Sequence, residues 1–156
     1  MTDVISLRQQ FEGWADYVRS LDSLPESDQL KAVAEGKWAV RDVIAHMWKW
    51  DIFFWEHAVR PLIEGTPLTY HSLDFNAFNE NAKNECRPLF WSYLIEQTAN
   101  TRDQIANAVR QFPESEYERT ERDADGNPFS MKAYLEDFIH HDAHHRLQIE
   151  SVLSGK

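Results

Sequence analysis

Apolar residues in this chain recur at intervals of three and four, and no long segment alternates with period two. That spacing constrains the fold most, because only an α-helix brings such positions onto one face. The first example is Leu7, Phe11, Trp14, Val18 and Leu21, with Val4 three residues ahead of them. It predicts a helix over residues 3–21, weakened slightly by Gly13 and ended by the polar stretch around Pro25. A short helical turn is expected near residues 28–34. Helix 2 is expected over residues 40–63, with Pro61 kinking it or ending it a turn early. Gly65-Thr66-Pro67 marks a loop, and a short helix follows over residues 74–85. Arg87-Pro88 breaks that helix, and Pro88 is expected in the first turn of helix 3, which runs to residue 112 and stops at Pro113. The charged segment 114–127 ends in the turn signal Asp125-Gly126-Asn127-Pro128. Ser130 is expected to cap helix 4, which runs to residue 153.

The prediction is an all-α chain of four main helices, with a short extra helix between helices 2 and 3, in a single domain over residues 1–156. Glycine is scarce, at 5 residues, which also argues against strands. The 42% hydrophobic content, including 6 Trp, is enough to fill a bundle core.

Histidines are unevenly placed. Four of the 7 fall in His140-His141-Asp142-Ala143-His144-His145-Arg146-Leu147-Gln148. His141 and His145 are one helical turn apart and project side by side. Stepping about 100° per residue from Tyr134 places both within about 60° of it, with Phe138, Ile149 and Val152, while His140 and His144 fall on the flank. A histidine inside an apolar stripe needs a partner for its ring nitrogens. It is either a hydrogen-bonded core residue or a ligand, and two of them on one face are half of a metal site. His46 is the third candidate. Val43, Met47, Trp50, Phe53 and Phe54 surround it on its helix, so it also faces inward. His57 shares that face but lies three turns on, about 16 Å away along the axis and too far to join the same ion. His71 sits in a loop-like stretch and is expected to be exposed.

The segment Trp38-Ala39-Val40-Arg41-Asp42-Val43-Ile44-Ala45-His46, taken with His141 to Gln148 and with Asp74-Phe75-Asn76-Ala77, resembles the DinB/YfiT-like superfamily. The resemblance covers essentially the whole chain. It implies a four-helix bundle with a divalent transition metal held by His46, His141 and His145, the ion being Zn, Ni or Fe. It also implies a metal-dependent thiol-S-transferase or hydrolase that acts on small electrophilic molecules in stress or detoxification. Its partners would then be a small-molecule substrate and a low-molecular-weight thiol. Two positions depart from the family pattern. Ala39 stands where a capping hydroxyl residue is usual, and Leu147 where glycine is usual; neither is a proposed ligand. Part of the N-terminal motif also resembles the ClbS/DfsB branch. That implies the alternative of a metal-free protein that binds or detoxifies a reactive small molecule, with Trp50, Phe53 and Phe54 forming its pocket. A third role is purely structural, with the metal only stabilising the bundle.

Other residues have simpler expectations. Asp42 lies one turn before His46, and we expect it to serve the N-terminus of helix 2 rather than to orient His46. Asp142 should point about 100° away from His141. Arg146 and Gln148 match the resembled motif, but the first is equally an exposed partner for an acid and the second a tie between helices. Three neutral imidazoles would leave the metal's charge uncompensated and keep positions open for water or an anion.

The net charge of −10, with Lys and Arg scattered singly, argues against nucleic acid as a partner. No stretch approaches the ~20 apolar residues of a membrane span. Cys86 is the single cysteine, which excludes an internal disulfide and fits a reducing compartment, so a cytoplasmic location is expected. Trp48, Ile52 and Trp55 lie off the face that holds His46. They predict either cover for loops or a homodimer interface.

Overall fold

The computed structural model describes residues 3–33 and 38–154. Its helices are α1 (Val4–Ser20), α2 (Glu26–Gln29), α3 (Val40–Phe54), α4 (Arg60–Glu64), α5 (Phe75–Cys86), α6 (Trp91–Gln111) and α7 (Met131–Ser154). Four long elements form the bundle: α1, α3 with its continuation, α6 and α7. The short α5 lies between the second and third of these and packs on α3. α1 packs against α6 and α7, and α6 packs also against α3. α1 and α3 are therefore diagonal, and α3 meets α7 across large side chains such as Phe54 and Phe138, whose rings are 5.0 Å apart. No helix among the described residues is long and apolar enough to cross a membrane.

Helix starts follow local chemistry. Ser130 Oγ accepts the Ala133 amide at 3.1 Å, and the Asp74 carboxylate accepts the Ala77 amide at 3.1 Å. Ala39 has no capping oxygen. The Asp42 carboxylate instead accepts the Ala39 amide at 3.1 Å, which supplies half of a capping box and confirms the local role expected for this acid. Residues before α3 are also pinned, because the Val33 amide donates to the Trp38 carbonyl at 2.8 Å and the Val40 amide to the Lys31 carbonyl at 2.9 Å.

Several boundaries differ from expectation. Pro61 neither breaks the helix nor ends it early. A π turn at Trp55–Val59 carries the helix into α4, which closes at Gly65 with φ 75°. Pro61 has no amide to offer the His57 carbonyl four residues back, and that carbonyl accepts the Thr69 and Tyr70 amides, each at 2.9 Å. Pro88 is not in a helical first turn; α6 begins three residues later at Trp91. The helical turn expected near residues 28–34 lies earlier, at α2, and residue 34 falls outside the described residues. The charged segment carries a two-stranded hairpin, β1 (Glu121–Arg122) and β2 (Pro128–Phe129), closed at Gly126 with φ 84°. Strands this short leave no period-two signal. Trp48 and Trp55 pack on the core, and Trp48 Nε1 also donates to Thr101 Oγ1 at 2.9 Å.

The apolar core is divided by one charged layer. Arg102 of α6 is fully buried and uses all five of its N–H groups. Its Nε and Nη2 donate to the two Asp51 oxygens at 3.0 and 3.1 Å. Nη1 and Nη2 donate to the Asp142 oxygens at 2.7 and 3.1 Å, and Nη1 also donates to the Phe11 carbonyl at 3.0 Å. One guanidinium thus ties α6 to α1, α3 and α7. Phe11, Phe138 and Leu135 pack on one side of this layer, and Trp14, Met47 and Leu94 on the other.

Candidate metal centre

The seam between α3 and α7 holds the three histidines singled out by periodicity. His46 lies on the buried face of α3 with Val43, Met47 and Trp50, and is 3% exposed. On α7, the Asp142 carboxylate is drawn into the Arg102 layer, so His141 beside it is turned toward α3. His145 follows one turn later. Both are half-buried. The His46 ring centroid lies 5.9 Å from that of His141 and 4.7 Å from that of His145. Among the described residues these three offer donor nitrogens within 4.8 Å of one another, a group that could hold a metal ion.

Hydrogen bonding sets the ring orientations. Gln148, one turn beyond His145, accepts from His145 Nδ1 through Oε1 at 2.8 Å. That places the proton on Nδ1 and makes Nε2 the unprotonated nitrogen. His145 Nε2 lies 3.0 Å from His141 Nε2 and accepts its N–H, so the two Nε2 atoms are side by side. His46 Nδ1 is buried without a hydrogen-bond partner, although the carbonyls of Asp42 and Val43 behind it favour its protonation slightly. Three imidazoles whose ring nitrogens converge this closely, at the edge of an apolar core, form a donor set suited to a shared cation.

The electrostatics agree. Burial, reinforced by the neighbouring His145 and His141, pushes His46 down to about 3. Burial and the other histidines push His141 down to about 4, and burial lowers His145 as well. All three rings are therefore neutral at pH 7, the state in which imidazole binds a metal.

The centre opens on a cavity of ≈ 380 Å³ whose wall, among the described residues, also includes Trp38, Trp50, Phe54, Tyr70, Phe75 and Asn79. Trp50 stacks on Phe78 at 4.0 Å, and its Nε1 donates to Asn79 Oδ1 at 2.7 Å. Phe54 stacks on Tyr70 at 4.8 Å. Trp50 and Phe54 thus line the pocket as expected. Phe53 does not; it packs behind Trp50 and against His57.

The remaining candidates take the simpler roles. His57 Nδ1 contacts Thr69 Oγ1 at 2.7 Å, outside the cluster, and His71, His140 and His144 are exposed. Arg146 pairs with Glu150 at 2.9 Å. Gln148 holds a histidine of its own helix and does not bridge to another. Leu147 is exposed. Cys86 is buried, and that burial raises its thiol pKa, which disfavours the nucleophilic thiolate. Sequence reasoning missed the Arg102 layer. A lone arginine at a buried position of α6 was the available signal, but its two acidic partners come from distant helices. Tyr70 and Asn79 were missed because a loop and a short helix carry them to the cavity.

No curated protein matches the chain. Among solved structures, YfiT from Bacillus subtilis superposes with a TM-score of 0.75 at 17% sequence identity, over 94% of this chain and 83% of the other. YfiT is described as a probable metal-dependent hydrolase with an unusual four-helix bundle topology. The two chains share that bundle. At sequence level, the DinB superfamily pattern matches residues 11–149, a span that includes all three clustered histidines. The chain belongs to the DinB superfamily.

Proposed function

We propose that this protein is a metal-dependent enzyme that acts on small electrophilic molecules, by thiol-S-transfer or by hydrolysis. His46, His141 and His145 are its ligands for a divalent transition metal, Zn, Ni or Fe. One observation carries this reading: three neutral imidazoles from two helices converge at an open cavity rather than within a closed core. A structural site usually fills all four positions with protein ligands, whereas three ligands beside a cavity leave room for a reactant. The description of YfiT as a probable metal-dependent hydrolase supports the same direction.

A divalent ion held there would acidify a bound water or a thiol and so supply a nucleophile near neutral pH. The chain's own residues do the rest. Gln148 fixes the His145 tautomer with Nε2 toward the cavity. Burial keeps His46 unprotonated and available as a donor. The aromatic wall sets an apolar surface beside the reacting groups. The low-molecular-weight thiol belongs to the transferase form of the proposal and water to the hydrolase form.

Elemental mass spectrometry of untagged protein purified without chelator tests the reading, beside His46→Ala and His141→Ala. About one equivalent of a transition metal, lost in both variants, is expected. Protein that carries no metal and takes up neither added Zn nor added Ni would overturn it in favour of the metal-free ClbS/DfsB-type binding and protection role.

A further inference from the structure

The wall of the cavity carries more information than the ligand set. Among the described residues, five of the six non-histidine ones on it are aromatic and none is charged, although the chain has 16 Lys and Arg and 26 Asp and Glu. A charged group on the body of a bound molecule would lose hydration there and find no counter-ion among the described residues of the wall. A cationic body would in addition be repelled by an ion held on three neutral ligands. Flat, apolar groups meet the faces and edges of Trp50, Phe54 and Tyr70 at no such cost.

Asn79 is the single side-chain amide among the described residues of that wall. Trp50 Nε1 donates to its Oδ1 at 2.7 Å, so the amide orientation is set and its oxygen is engaged. Among the described residues its Nδ2 has no partner, and it is not among the buried orphaned atoms. The wall therefore offers a positioned N–H donor. Phe75, 53% exposed, stands at the rim and packs edge-on against Trp50 at 5.5 Å.

We propose that the site takes an uncharged, mainly apolar molecule, with its metal-binding head at the histidines and a hydrogen-bond acceptor on its body facing Asn79. The head rests on the metal reading above; the body does not. Trp50 and Phe54 supply the faces, Phe75 closes the rim, and Asn79 orients the ligand.

Matched hydroxamates test this, because they share one metal-binding head and differ in body. Acetohydroxamate, benzohydroxamate and the 4-carboxy and 4-trimethylammonio benzohydroxamates would be titrated into zinc-loaded and into chelated protein by calorimetry. Benzamide, benzoate and trimethylanilinium would be titrated into chelated protein and followed by tryptophan fluorescence. Benzohydroxamate is expected to bind at least about tenfold more tightly than acetohydroxamate, from burial of its ring, and about tenfold more tightly than either charged analogue. Benzamide should lead its series in the same way. Phe75→Ser, at an exposed position that the fold does not need, should reduce the advantage of benzohydroxamate over acetohydroxamate severalfold. Asn79→Asp should shift the preference toward the cationic analogue. Charged bodies that bind as tightly as neutral ones in both forms would overturn the proposal. Hydroxamates that bind no better with zinc than without it would overturn the metal reading and leave the body preference to be decided by the second series.

Discussion

Single side chains set the state of the centre. Gln148 fixes His145 through one hydrogen bond at 2.8 Å, and such partners are typically worth 10–100-fold in metal affinity. Gln148→Leu is therefore expected to weaken zinc binding by about that factor while leaving the helical circular dichroism unchanged, which a competition titration with a chromophoric chelator would measure. The depressed histidines also give metal-free protein a defined pH dependence. In the unfolded chain each imidazole takes up a proton near pH 6.5. In the folded chain His46 does so only near about 3 and His141 near about 4. Their contribution is thus fully present above about 6.5 and is lost as pH falls toward those folded-state values. Asp142 carries the opposite sign. Burial raises it to about 6, so its contribution is present below the unfolded carboxylate value and is lost as pH rises through about 6. Comparison with His46→Gln isolates the histidine. Between pH 6.5 and 5, wild-type apo protein should lose stability against this variant by up to about 1.4 kcal/mol per pH unit in urea unfolding. A gap that stays constant with pH would show that His46 is not buried as a neutral group. Arg102 has the largest expected effect on folding. Arg102→Met strands two buried carboxylates and should cost about 3–5 kcal/mol by the same assay.

Helix geometry decides which of these side chains meet. The π turn ahead of Pro61 shows how a local defect becomes useful. The proline leaves the His57 carbonyl without its helical partner, and the Thr69 and Tyr70 amides take it, which ties the loop carrying Tyr70 to the cavity wall. Pro61→Ala restores an amide that can compete for that carbonyl. The Thr69 and Tyr70 amides should then exchange with solvent roughly tenfold faster, while amides in the middle of α6 keep their protection, as hydrogen-exchange mass spectrometry would resolve. Equal protection in both proteins would mean that the loop is held by other contacts, such as the Ala124 amide on the Tyr70 carbonyl at 2.8 Å. The rotation of α7 is a property of the element in the same sense. Neighbouring positions serve opposite neighbours, with Asp142 in the charged layer and His141 at the cavity. The histidine face was legible in the sequence because the i, i+4 pair falls in an apolar stripe. The reason for Asp142 was not, because an acid beside an inward histidine looks like a solvated flank until Arg102 arrives from another helix.

The bundle as a whole is held by two apolar clusters and the layer between them, none of which needs an ion. Chelated protein is therefore expected to keep its helical circular dichroism and a cooperative thermal transition. Added zinc should raise the midpoint in a concentration-dependent way, because it binds only the folded form. Loss of the helical signal on chelation would instead assign the metal a structural role. The sequence by itself determined the four long helices, their inward faces and the three histidines, because each rests on a 3.6-residue period within one segment. Its misplacements fell at Pro61, Pro88 and the small hairpin, where short-range signals compete and the packing around them decides. Only the tertiary structure decided that α3 faces α7, and hence that His46 meets His141 and His145. The same packing decided that Arg102 finds Asp51 and Asp142, and that Tyr70 and Asn79 complete the cavity wall. Periodicity turns a residue toward the core, but it carries no information on which residue from a distant segment will be waiting there.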